Sequence, residues 1–198
     1  MKSNSFHTSF QINGESFSNS EELIAFSQSI SKEINQFLKE WFSINPYIVV
    51  KTSGSTGNPK SIHLRKDFMI NSALATGRYF QLKENTKALC CLPIKFIAGK
   101  MMLVRALTLG WDLDVVEPKS NPLQEITKEY DFSAMVPLQL RNSILKIDQI
   151  KTLIVGGGMV SRDLEKAIQT VHTKCYATYG MTETSTHVAV KKLNKFTQ

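Results

Sequence analysis

Residues 50–61 read Val50-Lys51-Thr52-Ser53-Gly54-Ser55-Thr56-Gly57-Asn58-Pro59-Lys60-Ser61, a hydroxyl- and glycine-rich turn closed by a lysine. Glycines at 54 and 57 let the backbone approach an anion and turn its N–H groups inward. Thr52, Ser53, Ser55 and Thr56 add hydroxyl donors and Lys60 adds charge, so every ingredient favours polyphosphate. A Walker loop is excluded, because its lysine follows the second glycine directly, whereas Pro59 precedes Lys60 here. The plain alternative is a polar surface turn between two strands, and the loop by itself leaves both readings open.

Working outward, the pattern predicts strands at 47–51 and 61–65 on either side of this turn. Beyond them, helical stretches near 67–81, 98–109, 121–130, 137–146 and 161–171 alternate with apolar runs near 87–92, 112–117, 131–136, 151–156 and 174–179. That alternation predicts an α/β fold, a largely parallel sheet layered with helices. Upstream, Ser18 and Glu21 form a capping box for a helix reaching Phe42, with Leu23, Ile30, Ile34, Phe37, Leu38 and Trp41 on its apolar face and Pro46 ending it. The expected division is an N-terminal helical region, 1–46, and an α/β domain, 47–198.

Three further segments carry chemistry. Tyr179-Gly180-Met181-Thr182-Glu183 offers a hydroxyl donor for phosphate and a hard oxygen ligand for Mg2+, although a single glutamate is most often a solvated loop carboxylate. The run Lys151-Thr-Leu-Ile-Val-Gly156-Gly157-Gly158-Met159 reads as a strand and a tight turn, followed by Ser161 as the N-cap of a helix. It is not a dinucleotide fingerprint, since Ser161 stands where the third glycine belongs; a turn that merely needs positive φ is the competing reading. Both segments and the glycine turn fall at the C-terminal ends of strands, where open α/β sheets keep their ligands. The third is Leu92-Pro93-Ile94-Lys95-Phe96-Ile97-Ala98-Gly99.

Together, 52–61 and 179–183 resemble the Thr-Ser-Gly-Ser/Thr-Thr-Gly-x-Pro-Lys-Gly and Tyr-Gly-x-Thr-Glu motifs of the AMP-forming, acyl-adenylating enzymes, with Ser61 departing from the usual glycine. The resemblance implies that Thr52, Ser53, Gly54, Ser55, Thr56, Gly57 and Lys60 hold the β- and γ-phosphates of ATP. It further implies that Gly156, Gly157, Gly158 and Tyr179 flank adenine, that Gly180 and Met181 take part in binding ATP, that Thr182 meets the α-phosphate, and that Glu183 holds Mg2+. Thr182, Glu183 and Lys60 become the implied catalytic groups, and ATP, Mg2+ and CoA the implied cofactors. In this family the turn at 92–99 lines the carboxylate pocket, which assigns Lys95, Phe96 and Gly99 to the acid; Lys95 and Phe96 replace the usual aromatic and histidine. The turn and Phe132-Ser-Ala-Met-Val-Pro-Leu-Gln-Leu140 are similar to segments of the o-succinylbenzoate-CoA ligases of menaquinone synthesis, with Leu138 in place of a threonine. The implied partner is a small carboxylic acid, o-succinylbenzoate. The resemblance runs from about residue 47 onward.

With 42% hydrophobic and 21% charged residues over 198 positions, the chain has material for a substantial core. No apolar run approaches a membrane span and the first 14 residues are too polar for a signal peptide, so a cytoplasmic protein is expected. Cys90, Cys91 and Cys175 lack metal-site spacing and read as free thiols. The formal charge of +7 is spread along the chain without interleaved aromatic residues, which argues against nucleic acid and suits anionic small molecules. The family's ribose-binding aspartate, hinge and C-terminal lysine domain do not follow Val190. The expectation is therefore an N-terminal part of a ligase, with a missing C-terminal domain or an oligomer completing it. The rival is a non-catalytic remnant that binds nucleotide or a partner.

Overall fold

The computed structural model describes residues 5–51 and 61–195. In chain order the strands are β1 (Gln11–Ile12), β2 (Glu15–Ser16), β3 (Tyr47–Lys51), β4 (Ser61–Arg65), β5 (Lys87–Cys90), β6 (Asp112–Val115), β7 (Tyr130–Met135), β8 (Ile150–Val155), β9 (Lys174–Gly180) and β10 (His187–Lys192). The helices are α1 (Ser20–Ile30), α2 (Lys32–Phe42), α3 (Lys66–Phe80), α4 (Ile97–Leu109), α5 (Pro137–Asn142) and α6 (Arg162–Ala167).

Eight strands form one sheet in the order β10-β9-β8-β7-β5-β6-β1-β2, and β3 and β4 form a separate antiparallel hairpin. From β9 to β1 every neighbouring pair is parallel; β10 and β2 add an antiparallel strand at each edge. This is the expected α/β architecture of a largely parallel sheet covered by helices. A strand in such a sheet is buried on both faces. Along β5 and its extension, Ala88, Cys90 and Leu92 enter one core while Leu89 and Cys91 enter the other, the period of two that a pleated strand imposes. The first core holds α1 to α4, and the second holds Leu140 of α5 and Leu164 of α6.

Several helical expectations change in detail, and those at 137–146 and 161–171 shorten to the six-residue α5 and α6, each followed by a 3-10 segment. The helix expected from Ser18 to Phe42 is two helices, broken at Ser31, whose extended backbone (φ −164°, ψ 154°) lets it terminate one and start the other. Its N–H donates to Ser27 O at 3.2 Å, and its Oγ accepts from Ile34 N at 3.1 Å. The first N-cap is Asn19, with Glu22 closing the cap, one residue beyond the expected pair. The helix expected at 121–130 does not form. Backbone carbonyls there are taken by side chains from downstream: Lys146 Nζ lies 2.7 Å from Gln124 O, and Gln149 Nε2 lies 3.0 Å from Ile126 O.

The N-terminal region is also more than helical. β1 pairs in parallel with β6, and Phe10 and Ile12 lie in the same core as Trp111 and Phe132. All three cysteines are free and buried, and burial pushes the Cys90 thiol up to about 11 and those of Cys91 and Cys175 to about 12.

Candidate active site

β5 leads into α4 in the first core, whereas its neighbour β7 leads into α5 in the second. The chain thus leaves two adjacent parallel strands in opposite directions, and the space beyond their C-terminal ends is a topological switch point. A cavity of about 350 Å³ occupies it, with Leu92 after β5 and Val136 after β7 in its walls.

Three further groups of residues line that cavity. The turn after β8 contributes Gly156 and Gly157; Gly157 has φ +74°, a backbone that favours glycine. The end of β9 and the turn beyond it contribute Gly180, Met181 and Thr182, then Ser185, Thr186 and His187. α4 contributes Ile97, Ala98, Met101 and Arg105.

Arg105 dominates the electrostatics. It is 3% exposed, and no carboxylate among the described residues pairs with it. Its Nη2 donates to Thr186 Oγ1 at 2.6 Å and its Nε to Thr76 Oγ1 at 3.4 Å. Burial lowers its pKa to about 10, which still leaves a full positive charge at neutral pH. The same burial, with Arg105's charge second, lowers His187 to about 4, so its imidazole is neutral. Its Nη1 also lies 3.7 Å from Met102 Sδ, which leaves two of its five N–H groups without a partner among the described residues; a buried guanidinium so placed beside an open cavity has the chemistry to receive an anion.

Glu183 addresses a different hollow. Thr182–Thr184 form a single 3-10 turn that touches β4; from it Thr182 lines the main cavity, while Glu183 lines a cleft with His63, Arg65, Asp67 and Asn71. That cleft lies on the strand that follows residue 60. Among the described residues no group of three or more metal-ligating side chains gathers, and in this cleft Asp67 is paired with Arg65, which leaves Glu183 as the carboxylate that a cation could meet. A single carboxylate supplemented by phosphate oxygens is a common form of Mg2+ site.

Thr52, Ser53, Gly54, Ser55, Thr56, Gly57 and Lys60 lie outside the described residues. Gly158 and Tyr179 do not line the main cavity, and Tyr179 is 64% exposed. Lys95 borders a separate hollow with Glu33 and Glu117, and its Nζ sits 5.0 Å from the Phe96 ring centroid. Gly99 is a packing residue: a Cβ there would stand 2.4 Å from Pro93 O. The main cavity also brings in Arg105, Ser185, Thr186 and His187, none of which the motifs single out.

The model of the AMP-binding enzymes matches residues 8–198. The chain belongs to that family. The match begins well before residue 47, where the motif resemblance starts, in keeping with β1 and α1–α2 being built into the common core. Among curated relatives, the 2-succinylbenzoate--CoA ligase of Bacillus cytotoxicus is 27% identical over 162 residues, 76% of this chain and 34% of that protein. The enzyme of the same name from Listeria monocytogenes is 26% identical over 163 residues, with 77% and 34% covered. The chain therefore spans about a third of the length of the curated relatives it matches.

Solved AMP-binding enzymes share the fold. An AMP-forming acyl-CoA synthetase/AMP-acid ligase II-like protein from Dyadobacter fermentans superposes with a TM-score of 0.76 at 39% identity, covering 83% of this chain and 50% of that one. The o-succinylbenzoate CoA synthetase of Bacillus subtilis, solved in complex with its acyl-adenylate intermediate, gives a TM-score of 0.65 at 20% identity, with 73% and 31% covered. At that identity the likeness speaks for the fold, which is that of the N-terminal domain of AMP-forming acyl-CoA synthetases.

Proposed function

We propose that this chain is the nucleotide- and acid-binding part of an AMP-forming acid–thiol ligase. A carboxylate oxygen attacks the α-phosphate of ATP, pyrophosphate leaves, and the acyl-adenylate is then open to the thiol of CoA. The observation that carries the reading is the cavity at the switch point, where the glycine turn at 156–157 and the Thr182 turn face a buried arginine with no carboxylate partner among the described residues.

Such a transfer needs positioning and charge stabilisation more than covalent participation. Residues 52–60 would hold the departing phosphates, Thr182 would donate to the α-phosphate, and Glu183 would bind the Mg2+ that accompanies ATP. Arg105 would draw the acid into the cavity and fix its orientation through an anionic group, with Thr186 holding the guanidinium in place. The favoured acid is o-succinylbenzoate. Two things support it: the names of the curated relatives, and a cationic cavity wall that suits an acid bearing a second carboxylate.

One observation favours the rival, a protein that binds nucleotide without adenylating. Lys95 and Phe96, at positions where the resemblance expects an aromatic residue and a histidine, stack on each other outside the main cavity.

Pyrophosphate exchange into ATP by the purified chain with Mg2+, comparing o-succinylbenzoate, benzoate, acetate and no acid, decides between them. Exchange stimulated by o-succinylbenzoate alone is the expected result. Silence with every acid, alongside measurable ATP binding, supports the rival.

A further inference from the structure

Ser185 is the one residue of the cavity wall that is at once wholly buried, conformationally unusual and unpartnered. Its exposure is 0%, its backbone sits at φ +61°, ψ −30°, and its Oγ has no hydrogen-bond partner among the described residues. The conformation is held from both sides. Ser185 N–H donates to Thr182 O at 3.0 Å, and Thr184 Oγ1 lies 2.9 Å from Met181 O and 2.7 Å from Thr186 O while accepting from Met181 N at 3.0 Å.

A non-glycine residue at positive φ with a buried, unsatisfied hydroxyl is doubly unfavourable for folding alone. Both features are accounted for if the turn serves to hold that hydroxyl against a ligand. The same cavity carries the charge of Arg105, whose Nη2 rests on the very next residue, Thr186.

We propose that Ser185 is a specificity-determining residue: its hydroxyl donates to an oxygen of the bound acid other than the carboxylate that is adenylated, so the pocket selects acids carrying a second oxygen acceptor. This rests on the acid-binding reading above. It deepens that reading by naming a group that discriminates among acids, where Arg105 supplies attraction to any anion.

The test is calorimetric titration of the full chain with o-succinylbenzoate and, separately, with ATP, for wild type, Ser185→Ala and Ser185→Cys, together with a thermal melt of each. The expected result is a loss of roughly 10-fold or more in o-succinylbenzoate affinity for both variants, the size of a lost hydrogen bond to a charged or strongly polar acceptor. ATP affinity stays unchanged and the melting temperature is unchanged or higher. The cysteine variant separates donor strength from volume. Unaltered o-succinylbenzoate affinity in Ser185→Ala overturns this assignment and leaves the acid-binding reading standing. So does an equal loss for both ligands with a lowered melting temperature, which marks a structural role. A wild-type chain that binds ATP but not o-succinylbenzoate overturns the acid reading and this inference with it.

Discussion

Arg105 Nη2 donates to Thr186 Oγ1 across 2.6 Å, joining the middle of α4 to the turn before β10 over 81 residues of chain. That bond sets a buried positive charge in the wall of the cavity at the switch point and leaves the guanidinium with donors to spare. Stability and binding are therefore expected to pull in opposite directions at this position.

Replacing the arginine makes that opposition measurable. Burying a charge without a counter-ion is costly, and apolar replacements of buried ionic groups are often neutral or stabilising by about 1–4 kcal/mol. Arg105→Met is expected to raise the ligand-free melting temperature by several degrees, at about 2–4 °C per kcal/mol for a chain of this size. It should also abolish the acid dependence of pyrophosphate exchange. A melting temperature well below wild type would mean that the bonds to Thr186 and Thr76 hold the fold together.

His187 supplies a pH dependence of known sign. Burial, reinforced by Arg105, lowers its pKa from 6.5 to about 4, and its ring packs edge-on against Phe80 with centroids 6.3 Å apart. The unfolded chain takes up the proton at higher pH than the folded one. The stabilising contribution is therefore fully present above pH 6.5 and is lost as pH falls toward 4. Allowing for the ring's partial exposure, the loss is on the order of 2 kcal/mol. Urea midpoints at pH 7 and pH 4.5 should show a fall in wild type that His187→Phe reduces; equal falls in the two proteins would place the acid sensitivity elsewhere.

Gly99 tests the turn that carries α4 away from β5. An added Cβ would lie 2.4 Å from Pro93 O and 2.7 Å from Pro93 C, both backbone atoms that cannot rotate aside. Gly99→Ala is expected to cost roughly 2–3 kcal/mol through forced backbone displacement. The measurement is a lower denaturant midpoint at an unchanged slope. A change within about 0.5 kcal/mol, the range usual for an uninvolved surface position, would show that the turn is free to shift.

Much of the layered fold was legible along the chain. The strands at 47–51 and 61–65 fall where the pattern placed them, and the later strands begin and end within a few residues of the apolar runs. The helix expected at 121–130 failed because its carbonyls are claimed by Lys146 and Gln149, partners that sequence periodicity cannot see. The break at Ser31 was readable in principle, since serine is a strong N-cap, but a continuous apolar stripe masks it. The motif residues Gly156, Gly157, Gly180, Met181 and Thr182 come together at one cavity, whereas Lys95, Phe96 and Gly99 do not line it. Arg105 left a faint signal, a lone charge within the apolar run Met101 to Leu107 of a helix buried on all sides. Taken along the chain it reads as a solvated position.

By itself the sequence determined what depends on neighbours a few residues apart: helices and strands from hydrophobic period, turns from glycine and proline, family from motifs at 52–61 and 179–183. Tertiary structure alone decided that β1 joins the sheet beside β6, that successive residues Thr182 and Glu183 face different hollows, and that Ser185 is buried in a cavity wall with Arg105. The reason lies in the range of the forces. Periodicity and capping act within a turn or two of chain, while the meeting of α4 with the turn before β10 depends on strand order and on how two cores close around the sheet.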